Sequence, residues 1–224
     1  MSKILDSILP PMPAFLDMVS AQAEILAKCM STAVDCLTDP EPIRFQAMAD
    51  FENSARELRT RHLDKLSDSF STPIDRADLN EAINTLETPV EEIRETIEEM
   101  RALGVESDKY CLEMAIVLRE SAAALQRGYA KLSTKPGQAD PDAMAALSCV
   151  TRVDAIYRKG LGRLYTLNED MEAIKAKDED IRVATFIHTV DILKRREAYR
   201  HLRSVSILIG DAAEVLHTIV AQNG

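Results

Sequence analysis

Tryptophan is absent, and glycine (7), phenylalanine (5) and tyrosine (5) are scarce among the 224 residues. So few aromatic residues and glycines are poor material for sheets and turn-rich folds, whereas Ala, Leu, Glu and Arg favour helix. Positive charge is also short. The 27 Lys and Arg face 37 Asp and Glu, a net charge of -10, which argues against nucleic acid, whose phosphates are held by clustered cations. No run approaches the roughly 20 apolar residues that cross a bilayer, so the chain is not expected to span one. Prolines break the short apolar run of "MSKILDSILPPMPAF", which leaves no signal-peptide pattern, and a cytoplasmic chain is expected. The four cysteines (29, 36, 111 and 149) form no C-x-x-C pair. They read as small buried hydrophobes, and a structural zinc site is not expected. The chain also lacks a G-x-S-x-G elbow, a phosphate-cradling glycine loop and a nucleophile beside an obvious base. An enzyme is not expected.

What the chain has is helical periodicity. From 79 to 100, the apolar series Leu79, Ile83, Leu86, Val90, Ile93, Ile97 and Met100 steps alternately by four and three. Residues 111 to 132 repeat the pattern. Each series lays one stripe along one helix face, as in helices packed nearly parallel. Asp39-Pro40, Thr72-Pro73 and Asp140-Pro141 each set a capping side chain before a proline, a helix-start signal. Thr72 with Asp75 resembles a capping box. Gly104 and "STKPGQADP" (133–141) read as a stop and a loop. Six main helices are expected, at about 11–37, 41–69, 73–103, 107–132, 141–165 and 186–222, with a polar connection at 168–180. Three fall on either side of Gly104. Sliding the second helix by 98 residues sets Leu58, Leu63 and Leu66 on Ile156, Leu161 and Leu164, as a repeated three-helix unit would.

The stretch "FSTPIDRAD" (70–78) follows a helix carrying "FENSA" (51–55). It resembles the PhoU-like family of phosphate-transport accessory proteins, in the branch found beside Pit-type permeases. "DILKRREAY" (191–199) is similar to that family's lead-in to its last helix. The resemblance implies an all-α, antiparallel up-and-down bundle of two three-helix repeats, here about 1–104 and 105–224 of one domain. It further implies acidic E-x-x-x-D motifs that gather iron or another divalent metal.

Only part of that motif is present. Glu52 holds the glutamate position of the second helix, but Arg56 stands where an aspartate is expected. "ETPVE" keeps Glu87 and Glu91 on the third helix, with Thr88 in place of an acid. In the second repeat Asp154 matches, Val150 replaces the glutamate, and Arg203 and Ile207 take the places of acids on the last helix, with Asp211 one turn on. The metal candidates are therefore Glu52, Glu87, Glu91 and Asp154. Carboxylates four residues apart share a helix face and can offer oxygens to a hard cation. Without a cation they repel one another or take up protons. Three readings stay open: a working metal site, a relic in which Arg56 supplies the positive charge and pairs with Glu87 or Glu91, and a solvated face.

Asp154 interrupts the stripe Leu147, Val150, Tyr157 and Leu161. It is expected to face inward and to need a partner, an Arg or Tyr rather than a metal. Pro89 removes a backbone donor inside the third helix and is expected to bend it. Glu214-x-x-His217 has di-iron spacing but no second such pair. The basic run "KRREAYRHLR" (194–203) could meet phosphate, anionic lipid or an acidic partner, or could pair with the acidic face of the third helix.

The expected function is a non-enzymatic accessory or regulator of inorganic phosphate transport. It would bind a phosphate permease or its regulators at the cytoplasmic face of the inner membrane, with room for a homo-oligomer. The alternative is a metal-dependent enzyme or metal store of ferritin-like architecture.

Overall fold

The computed structural model describes residues 15–166 and 181–223, all helix or short connections, with no strand among them. The helices are α1 (Phe15–Thr38), α2 (Pro42–Asp68), α3 (Arg76–Leu103), α4 (Lys109–Lys131), α5 (Asp140–Leu147), α6 (Cys149–Leu164) and α7 (Ile181–Asn223). The expected polar connection at 168–180 lies outside the described residues.

The stripes do what their spacing requires. Leu79, Ile83, Leu86, Val90, Ile93, Ile97 and Met100 are all buried along α3, as are Cys111, Leu118, Leu125 and Tyr129 along α4. Each fully buried Leu, Ile or Phe contributes roughly 1.5–3 kcal/mol, so these faces fix how the helices pack. Helices α1, α2 and α3 pack on one another, as do α4, α5–α6 and α7. The two triplets meet through α1 on α4 and α3 on α7. Four helices thus share the core, with α2 and α5–α6 on the outside.

Several helix boundaries differ from expectation, among them the start of α7 at Ile181 rather than about 186. The cap of α3 is Asp75, which accepts from the Ala77 amide at 2.7 Å, so the helix starts after Thr72-Pro73. Helix α2 starts at Pro42, not after Asp39; the Asp39 carboxylate instead meets Arg44 at 2.8 Å. The expected fifth helix is two, α5 and α6, divided at Ser148. Ser148 keeps a right-handed conformation, so neither glycine nor proline was needed to make the break. Helix α3 runs through the buried Pro89 without interruption.

Gly104 stops α3 as expected, at φ 64°, a conformation glycine adopts at little cost. Its amide reaches the Arg101 carbonyl at 3.1 Å and the Val105 amide reaches that of Met100 at 2.8 Å, the Schellman closure of a helix end. Asp108 then caps α4 through the Tyr110 and Cys111 amides, each at 2.9 Å, and accepts the Tyr199 hydroxyl. All four cysteines are free and buried. Burial pushes the Cys36 and Cys149 thiols up to about 11, which keeps them protonated and poorly nucleophilic at neutral pH.

By length and composition α7 could cross a membrane, a property the sequence reading did not credit to any stretch. In the bundle, 56% of its apolar window is buried. Much of that apolar character serves packing against α3, α4, α5 and α6.

Candidate functional site

The seam between α2 and α3 brings Glu52, Glu87 and Glu91 together, with arginines among them. Glu52 is buried, and both its oxygens are taken: Oε1 lies 2.9 Å from Arg56 Nη2 and Oε2 lies 2.8 Å from Arg94 Nε. Arg56 also reaches Glu91 at 3.7 Å. Arg94 extends to Glu98 at 2.6 Å and Glu95 at 3.7 Å. Arg59 donates to Asn84 at 2.8 Å and completes the tie between the two helices. Four carboxylates, those of Glu52, Glu91, Glu95 and Glu98, are therefore met by two guanidiniums, Arg56 and Arg94.

Glu87 is the exception in kind. It is buried without a direct ion pair among the described residues. Burial first, then the nearby Glu91 charge, raises its carboxyl above the usual range, while Arg59 and Arg56 pull it partly back.

The second half repeats the arrangement on a smaller scale. Asp154 on α6 accepts from Arg203 Nε at 2.9 Å and pairs with Arg158 one turn on. Arg203 also lies over the Tyr157 ring, 5.3 Å from its centroid. The residue standing at the expected acid position on the last helix thus neutralises the remaining acid on α6. Val150 packs against the core, while Ile207 and Asp211 are exposed.

This donor set does not fit a divalent cation. A hard ion needs several carboxylate oxygens free to converge on it, and the oxygens of Glu52 and Asp154 already point at guanidiniums. Among the described residues no three His, Cys, Asp or Glu side chains come together as a metal site. The pairing of Arg56 with Glu91 follows the sequence reading. Arg56 also pairs with Glu52, which is buried rather than part of a solvated face. Arg94 was missed altogether. The only signal in the sequence was a lone Arg in the acidic run "EEIRETIEE", which reads equally well as a surface pair with Glu98.

Other candidates resolve into structure. His217 meets Asp140 across to α5 at 2.6 Å, and Glu214 is exposed. The basic run is largely spent inside the molecule. Lys194 donates to the Leu103 carbonyl at 2.7 Å, Arg195 to that of Glu106 at 3.2 Å, and His201 sits between Glu92 (3.3 Å) and Glu99 (3.1 Å) on α3. A separate buried chain ties three helices together. His62 donates through Nδ1 to Gln22 (2.8 Å), whose amide donates to the Ile83 carbonyl (3.0 Å). Burial lowers His62 to about 4, which keeps it neutral.

The sequence matches no family model and no curated protein. Solved structures do match. A PhoU-like protein from Shewanella oneidensis MR-1 aligns at a TM-score of 0.59 and 12% identity, covering 93% of this chain and 100% of that one. The chain has the PhoU-like fold. A second protein of that organism, described as a PhoU-like phosphate regulatory protein, aligns at 0.54 and 9% identity over 93% of this chain and 100% of its own. At these identities the likeness to PhoU-like proteins is one of fold.

Proposed function

We propose that this chain is a non-enzymatic regulator or accessory of inorganic phosphate transport. It acts by binding a phosphate permease or that permease's regulators at the cytoplasmic face of the membrane. The observation that carries the reading is full-length likeness in fold to a protein described as a PhoU-like phosphate regulatory protein. The "FSTPIDRAD" stretch, which joins α2 to the first turn of α3, supports the same reading.

Arginine has taken over the charge that a metal supplies in the acidic motif: Arg56 and Arg94 at Glu52, and Arg203 at Asp154. A guanidinium is charged at every relevant pH and presents a planar fork of donors to carboxylates. On this reading the chain needs neither iron nor another divalent ion, and its function lies in a surface.

The test is phosphate uptake in cells lacking the gene, complemented with the wild-type chain or with Arg94→Ala/Arg56→Ala. Loss of the gene changes uptake rate or its response to phosphate limitation, and the wild-type chain restores it. Uptake that is the same with and without the gene, at high and low phosphate, would overturn the reading.

A further inference from the structure

The apolar stripe of α7 outruns the helix it packs on. Lys194 and His201 contact α3, and Ala198 is buried between them; Lys194 holds the carbonyl of Leu103, the last residue of α3. Counting back from Lys194 by four, three and four gives Val190, Ile187 and Val183 on the same face, with Phe186 beside them. Helix α3 has ended there, and nothing in the described bundle replaces it. Val183, Phe186, Ile187 and Leu193 are accordingly 54%, 69%, 61% and 52% exposed. Four large apolar side chains exposed within eleven residues form a patch, not scattered surface residues, and such patches mark contact surfaces.

The segment beside this patch is basic in an acidic chain, although Lys194, Arg195 and Arg203 are held by internal partners and Arg200 pairs with Glu197 at 2.7 Å. The chain carries -10 overall, yet residues 181–203 hold six Lys or Arg against two Asp or Glu. Arg182, Arg196 and Arg200 fall on the face adjoining the apolar one, and all three are exposed. An apolar face with an aromatic residue, edged by arginines, suits the boundary between acyl chains and anionic headgroups. A second copy of the same face would bring the same arginines to a shared rim, where they would repel.

We infer that the N-terminal part of α7, about residues 181–200, is an anionic-lipid contact surface on which the bundle lies against a membrane. Phe186 and Ile187 enter the interface while Arg182, Arg196 and Arg200 face the headgroups. The contact is peripheral. Downstream, α7 is committed to the core. The inference does not rest on the phosphate-transport reading, and its test contains no phosphate substrate or permease.

The experiment is co-sedimentation of the full chain with vesicles of phosphatidylglycerol and phosphatidylcholine, and with phosphatidylcholine alone. The wild type binds the anionic vesicles, and added salt weakens binding. Phe186→Ser/Ile187→Ser lowers the partition coefficient by about tenfold or more. Arg196→Glu lowers it severalfold on anionic vesicles only. These positions are exposed, so circular dichroism of the variants stays that of the wild type. Wild-type protein that ignores both vesicle types would overturn the inference. So would equal binding by the double variant, or a dimer lost in that variant with no vesicle binding at all.

Discussion

Arg94 Nε lies 2.8 Å from Glu52 Oε2, on the far side of that carboxylate from Arg56. The two side chains come from different helices, and both are largely withdrawn from water, at 18% and 12% exposure. The contact is an ion pair without hydrogen-bond alignment at Nε. Its consequence is electrostatic: breaking a buried pair leaves an uncompensated charge behind.

Removing one partner should therefore cost more than removing both. Arg94→Ala is expected to lower stability in urea unfolding by about 2–4 kcal/mol. Glu52→Gln/Arg94→Met should recover most of that loss. Arg56→Ala, whose side chain is 54% exposed, should cost under about 1 kcal/mol.

Glu87 should behave in the opposite sense. Its carboxyl is raised in the folded chain, so the folded state holds its proton where the unfolded state has lost it. Stability is then present at acid pH and falls as pH rises above the ordinary carboxylate range. Glu87→Gln is expected to raise Tm at pH 7, on the order of 2 °C, and to leave it unchanged near pH 4. Equal effects at both pH values would point to packing rather than charge.

His62 gives a second pH dependence. With the imidazole lowered from 6.5 to about 4, the unfolded chain takes up its proton first as pH falls. The His62 contribution is complete above about pH 6.5 and is lost progressively down to about pH 4. The full loss is on the order of 3 kcal/mol. Urea midpoints measured between pH 7.5 and 4.5 should converge for wild type and His62→Gln as pH falls.

Two glycines on α6 separate helix propensity from packing. A Cβ at Gly162 would meet nothing within 4 Å, whereas one at Gly160 would lie 2.7 Å from the Tyr199 ring. Tyr199 is fully buried and its hydroxyl is held by Asp108, so the ring cannot yield. Gly162→Ala should stabilise by about 0.5–1 kcal/mol through propensity. Gly160→Ala should destabilise by about 1–3 kcal/mol despite the same gain, because overpacking wins.

The helices were legible because their stripes are long and regular, and Gly104 because only a residue at ease with positive φ ends α3 that way. The division at Ser148 was not, since a right-handed residue between two helices leaves no mark in composition. The start of α3 was misread because Thr72-Pro73 and Asp75 both carry cap chemistry, and only the backbone decides which one the amides face. At the site, the family resemblance singled out Arg56, and the interrupted stripe showed the need of Asp154 for a partner. It could not pair Arg203 with Asp154 across 49 residues, nor tell that Arg94 turns inward to Glu52. Those contacts depend on how helices face one another, which local pattern does not carry.

The most direct test of arginine in the place of metal is elemental analysis of untagged protein purified without chelators, paired with thermal unfolding with and without EDTA. The account predicts no stoichiometric iron, manganese or zinc and the same Tm in both conditions. Near-stoichiometric metal, lost in Glu87→Ala/Glu91→Ala and accompanied by a fall in Tm with EDTA, would contradict it.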